Sequence, residues 1–177
     1  AINILCRDNA FTVKNIQASL ICFRPLIRIF AVNNRTTMKK LGILELNRMN
    51  VVDYREADKM PFVVVLDNVR SLHNVGSVFR TSDAYRVECI YLCGVTATPP
   101  SAEIHKTALG SGDAGAWQYF KDRLEAVEQL QREGYTVLSI EQVQGSIALQ
   151  DLHLEKGKKY AVIFGNEVKG VQQEVID

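Results

Sequence analysis

Leu66-Asp67-Asn68-Val69-Arg70-Ser71-Leu72-His73-Asn74-Val75-Gly76-Ser77-Val78-Phe79-Arg80-Thr81 is the stretch on which the reading of this chain turns. It is entered from Phe62-Val63-Val64-Val65-Leu66, a β-branched run with no polar alternation, the pattern of a central strand covered on both faces. The run breaks at Asp67 into a polar loop reaching His73, and apolar residues return at helical spacing from Asn74 to Val87. A second stretch repeats the plan. Tyr160-Ala161-Val162-Ile163-Phe164 is strand-like, Gly165-Asn166-Glu167-Val168-Lys169-Gly170 interrupts it, and a helix is expected from near Val171. In open α/β sheets, ligands gather at such strand ends.

Outward from these two stretches, strands alternate with helices. Cys89 to Cys93 and Tyr135 to Ile140 read as strands, and Trp117 to Phe120 as a short one. Ser101 can cap a helix over Ala102 to Leu109, and Gly134 stops a helix running from Asp122 to Glu133. Gly110 to Gly115 is a turn, and Ser146 to Leu152 a short helix. Leu41 to Asn50 is amphipathic, and the connector after it carries a helical turn at Asp53 to Lys59. The alternation predicts an α/β fold with a mostly parallel sheet and flanking helices.

The 177 residues fit one domain, and the 47% hydrophobic fraction is enough for a core. A net charge of +1 leaves nucleic acid open, because a local basic patch binds phosphate on a near-neutral protein. The four cysteines have no CxxC spacing and read as reduced thiols, and no apolar run is long enough to cross a membrane. The reading is therefore cytoplasmic, with no membrane partner. Residues 1–37 stand apart: Asp8 is their only acid, against Arg7, Lys14, Arg24, Arg28 and Arg35. They form a nucleic-acid arm, an extra edge element, or an extension upstream of a start at Met38. The division adopted is an atypical extension over 1–37 and a domain over 38–177.

Residues four apart share a helix face, so Arg80 stands over Gly76, which lets an anion approach the guanidinium. Asn74 either caps this helix or fixes the loop before it. Gly165 and Gly170 bracket a turn suited to close approach of a ligand, and Glu167 in it can orient a cationic side chain or accept from a hydroxyl. Other chemistries lack their signatures: there is no GxxxxGK[ST], GxGxxG after the first strand, HExxH or GxSxG, and His73, His105 and His153 lack metal-ligand spacing. No metal is expected.

Asp67 to Thr81 resembles the first motif of the SpoU/TrmH branch of the SPOUT RNA 2'-O-ribose methyltransferases, and Phe164 to Val171 resembles its second, in the same order. The resemblance covers roughly Leu41 to Asp177. It implies an α/β domain with a deep trefoil knot near the C-terminus, a homodimer, and S-adenosyl-L-methionine as cofactor. By resemblance the catalytic residues are Arg80, Asn74 and Glu167. Gly165, Asn166, Gly170, Ile140, Glu141 and Gly94 would line the cofactor, and Arg70, Lys106 and Lys169 would contact RNA. The substrate would be tRNA or rRNA and not DNA, since the reaction needs a 2'-hydroxyl. A third family motif, a proline-led strand with a Ser-Leu-Asn triplet and a closing helix, has no match before Asp177. The expectation is a domain truncated at that end, with its knot incomplete. The alternative is a non-catalytic RNA-binding or assembly protein on the same fold.

Overall fold

The computed structural model describes residues 49–172 continuously, together with Lys40, Gly42, Glu45 and Val175. The chain divides into two units, Ala1–Leu46 and Asn47–Asp177. In the first, the Gly42 N–H donates to Glu45 Oε2 at 2.6 Å and the Glu45 N–H to Gly42 O at 3.0 Å. The expectations for residues 1–37, and most of the helix expected over Leu41 to Asn50, lie outside the described residues.

The second unit is built on five parallel strands: β1 (Met60–Asp67), β2 (Val87–Cys93), β3 (Trp117–Phe120), β4 (Tyr135–Ile140) and β5 (Lys159–Phe164), in the spatial order β3-β2-β1-β5-β4. Helices α1 (Val51–Glu56), α2 (Leu72–Tyr85), α3 (Ala102–Ala108), α4 (Ser111–Ala114) and α5 (Arg123–Arg132) join or flank them. The fold is the expected α/β fold with a parallel sheet, and the apolar run at Val63 to Leu66 is its middle strand.

Alternation along β1 explains why that run has no polar face. Val63 and Val65 point into one core with Tyr91, Cys93, Ala126, Leu130, Ala161 and Ile163, on the α5 side. Val64 and Leu66 point into the other with Ile90, Leu92, Val75, Phe79, Ile104 and Ala108, on the side of α2 and α3. A period of two on a strand buried on both faces therefore looks like no period at all.

From β1 the chain steps outward through β2 to β3 at one edge. It then crosses to β4 at the other edge and returns to β5, which pairs with β1. The strand order thus turns between β1 and β5, and their carboxyl ends lie side by side with Leu66 opposite Phe164. Both polar stretches singled out in the sequence leave from this place.

Boundaries moved where capping decides them. The helix expected from Asn74 begins at Leu72, because Ser71 is its N-cap and accepts from the Asn74 N–H at 3.2 Å. Arg86 ends it in the left-handed region, so β2 starts at Val87. The turn expected over Gly110 to Gly115 contains the single helical turn α4, and the helix expected over Ser146 to Leu152 reduces to a 3₁₀ turn, Leu149–Asp151. The helix expected from near Val171 falls largely outside the described residues.

Candidate functional site

Two loops meet at the switch of strand order. Glu167, in the loop after β5, sets its carboxylate at the start of α2: Oε1 accepts from the Ser71 N–H and from Asn74 Nδ2, each at 3.2 Å, and Oε2 from the Arg70 N–H at 3.4 Å. An acidic group suits this position, because the first N–H groups of a helix lack intrahelical partners. Burial pushes the Glu167 carboxyl up. The N–H groups of Glu167 itself, Ser71 and Arg70, with the Asn74 amide, outweigh that effect and hold it below the usual carboxylate range. Asn74 is thus not the cap of α2. It is the third residue of the helix, and its side chain joins the helix to the second loop.

The second loop is closed on itself. The Asn166 N–H donates to Gly170 O at 3.0 Å and the Gly170 N–H to Asn166 O at 2.9 Å. Asn166 Oδ1 accepts from the Val168 and Lys169 N–H groups, and its Nδ2 donates to Asn68 O at 2.9 Å. Glu141, just past β4, accepts from the Val171 N–H at 2.8 Å, and from the Gln142 N–H. These bonds, Gln142 first, hold its carboxyl below the usual range. The glycines here serve the chain itself. A Cβ on Gly165 would lie 2.1 Å from the carbonyl carbon of Gly170, and one on Gly170, at φ +67°, would lie 1.9 Å from Glu141 Oε2.

A third strand end completes the floor. Asn68 adopts φ +56°, its Nδ2 donates to Asp67 Oδ1 at 2.9 Å, and its Oδ1 accepts from the Val95 N–H at 3.0 Å. Gly94, at φ +63°, has no room for a side chain, since a Cβ would sit 2.2 Å from Asn68 Oδ1. Its carbonyl accepts from the Tyr119 hydroxyl at 2.9 Å. Buried Thr96 accepts from the Val69 N–H and donates to Leu66 O, each at 3.0 Å. Asp67, Asn68, Ser71 and Arg123 are not among the candidate site residues. The readable signal was Asp67-Asn68 at a strand end, since Asn tolerates left-handed backbone.

Arg80 lies further along α2, exposed, in an open cleft of about 520 Å³ between α2 and α3 that His73, Glu103, Lys106, Thr107 and Leu109 also line. Among the described residues it has no ion pair. The expected opening at Gly76 is not there. Gly76 is buried, and a Cβ would meet Thr107 Cβ at 2.7 Å and Ile104 O at 2.8 Å, so its missing side chain admits α3 rather than an anion. Lys106 shares the cleft with Arg80, whereas Arg70 and Lys169 are exposed in the two loops. Apolar side chains are left at the strand ends. Ile140 and Phe164, register partners on β4 and β5, are 45% and 37% exposed, and Val95 is 62% exposed.

The chain is similar to several known proteins. It is 27% identical over 131 residues to an uncharacterized tRNA/rRNA methyltransferase of Borreliella burgdorferi, covering 70% of this chain and 53% of that one. It is 22% identical over 125 residues to a putative TrmH family tRNA/rRNA methyltransferase of Staphylococcus saprophyticus, covering 71% and 49%. The chain thus spans about half the length of these relatives. The crystal structure of an AdoMet-bound rRNA methyltransferase from Sinorhizobium meliloti superposes with a TM-score of 0.61 at 26% identity, over 70% of this chain and 47% of that one. The A. aeolicus TrmH/SpoU tRNA modifying enzyme shares the fold, with a TM-score of 0.60 at 20% identity over 71% and 64%. The model of the SpoU rRNA Methylase family matches residues 61–177, which hold β1 from its second residue, the other four strands and both meeting loops, and by this match the chain belongs to that family.

Proposed function

We propose that this protein transfers a methyl group from S-adenosyl-L-methionine to a ribose 2'-hydroxyl of tRNA or rRNA. The observation that carries the reading is the Glu167 clamp on the start of α2. It fixes the helix bearing Arg80 against the loop that leaves β5. The residues present suit the cofactor. Ile140, Phe164 and Val95 offer apolar surface to an adenine at the strand ends, and the loops carrying Gly94, Glu141, Gly165, Asn166 and Gly170 border it. The cofactor supplies an electrophilic methyl on a sulfonium, so the protein's task is alignment.

The Arg80 guanidinium is a planar, delocalised cation that suits anions and serves poorly as a general base. It therefore stabilises the developing alkoxide, or holds the neighbouring phosphate while that phosphate takes the hydroxyl proton. Lys106, in the same cleft, is a phosphate contact for the RNA, with Arg70 and Lys169 as further contacts on the loops. Asn74 and Glu167 orient α2. We extend the reading to a domain over residues 38–177, preceded by an extension over 1–37, with the knot and the homodimer typical of such enzymes. Among the described residues no helix is long and apolar enough to cross a membrane.

The test pairs calorimetric titration of S-adenosyl-L-homocysteine with transfer of radiolabelled methyl groups to tRNA and rRNA. Wild type should bind and transfer. Arg80→Ala should lose transfer by at least about a hundredfold while cofactor affinity stays within about twofold. A folded wild type that binds no S-adenosyl-L-homocysteine would turn the reading toward RNA binding without catalysis. Loss of cofactor binding in Arg80→Ala would remove Arg80 from the substrate side.

A further inference from the structure

We propose that Asp67 is a positioning residue of this site, acting through Asn68, a role that presupposes methyl transfer there. Asp67 is the last residue of β1 and only 1% exposed. Its Oδ1 accepts from Arg123 Nε and from Asn68 Nδ2, each at 2.9 Å, while the enclosed Oδ2 has no hydrogen-bond donor among the described residues. A buried pair of this kind adds little net stability, and apolar residues of similar volume often do as well. What the carboxylate does provide is direction. It draws the amide nitrogen of Asn68 toward itself and so turns Asn68 Oδ1 to the Val95 N–H. The two partners together leave the amide one way round, a donor end toward Asp67 and an acceptor end toward Val95.

The turn held in this way is an anchor point. With Asn68 at φ +56°, its carbonyl receives Asn166 Nδ2 at 2.9 Å, and Asn166 Oδ1 holds the N–H groups of Val168 and Lys169. Glu167 lies between the residues so held and clamps Ser71 and Asn74. One chain of hydrogen bonds therefore runs Arg123, Asp67, Asn68, Asn166, and through the loop to Glu167 and Asn74. It joins the ends of β1, β2 and β5 to the start of the helix that carries Arg80. A misplacement of about 1 Å at this distance from the chemistry can cost about a hundredfold in rate.

The test breaks the link from either side. Asn68→Asp sets a second carboxylate against Asp67. Asp67→Leu removes the oxygen that Asn68 Nδ2 and Arg123 Nε share, and fills the same buried place with an apolar side chain. Each variant should lower kcat for methyl transfer by at least about tenfold, with KM for RNA and affinity for S-adenosyl-L-homocysteine within about twofold. Amide hydrogen exchange at Val95 and at residues 166–169 should quicken in both. If neither folds, Asn68→Gly serves, since it keeps the left-handed backbone and deletes the amide. Unchanged kcat and unchanged exchange in whichever variant folds would overturn the role. Exchange reads the linkage without activity. A wild type that transfers no methyl group, but whose exchange responds as described, would overturn the methyltransferase reading and leave the linkage standing.

Discussion

Glu167 is separated from Arg70, Ser71 and Asn74 by 97, 96 and 93 positions, yet its carboxylate binds all three. Because its folded pKa is depressed, the stabilisation it gives is complete above the ordinary glutamate pKa of about 4.3 and is lost as pH falls through its own lower value. Glu141 is depressed for a similar reason, through the Gln142 and Val171 N–H groups, and it guards the exit of the same loop. The loop over residues 165–170 should therefore undock in acid, below the ordinary glutamate range, while the strands persist. Amide exchange at Ser71 and Val171 followed from neutral pH into acid would show it as earlier exposure of these sites than of the β1 amides. Glu167→Gln keeps an acceptor oxygen but cannot titrate, so it should dock weakly and flatten the acid response at Ser71; an unaltered response would remove Glu167 as its source. The sequence made Glu167 and Asn74 visible as candidates, because each stands in a polar break after an apolar strand. It could not show Thr96 or Arg123, whose partners at Leu66, Val69 and Asp67 are neighbours only after folding.

Helices α2 and α3 meet without a side chain at Gly76, whose absent Cβ leaves room for Thr107 and the Ile104 carbonyl. Gly76→Ala normally favours a helix, by about 1 kcal/mol. Here the added methyl meets backbone as well as side chain, and overpacking of this kind costs about 1–3 kcal/mol. The expected result is net destabilisation, seen as a lower urea midpoint at unchanged slope, with the cleft around Arg80 and Lys106 altered in shape. A midpoint that rises would mean the two helices separate at little cost. The same pair shows what element-level reading can and cannot reach. Spacing put Arg80 over Gly76, and the line through the two looked like one open face, while Val75 and Phe79 on the other side of the helix are buried. Spacing on one helix says nothing of what packs against it, and α3 covers the first of those positions and leaves the second free. The early start of α2 was likewise written in Ser71, whose hydroxyl competes with Asn74 for the cap.

At the scale of the whole molecule, the alternation of strands and helices was enough to give a parallel sheet, but not the order β3-β2-β1-β5-β4. That order depends on which strand the return from β4 pairs with, a tertiary choice that leaves no local pattern. It matters because it places the two polar loops side by side on a chain whose net charge is only +1. Under the proposed function, attraction for RNA would come from where the cations stand rather than from their total. Arg80 and Lys106 face one cleft, with no ion pair to an acid among the described residues. Each cation that meets a phosphate releases counterions, and for single strands the logarithm of the association constant falls by about 0.7 per contact for each unit of log salt. Lys106→Ala should therefore weaken RNA binding at low salt and make that slope shallower by about 0.7, while leaving affinity for S-adenosyl-L-homocysteine unchanged. Filter binding or fluorescence anisotropy across a salt series, run on wild type and variant with the same RNA, measures both quantities. A slope that does not move would take Lys106 off the path of the RNA and with it the cleft between α2 and α3. A change in cofactor affinity would instead tie that cleft to the strand ends.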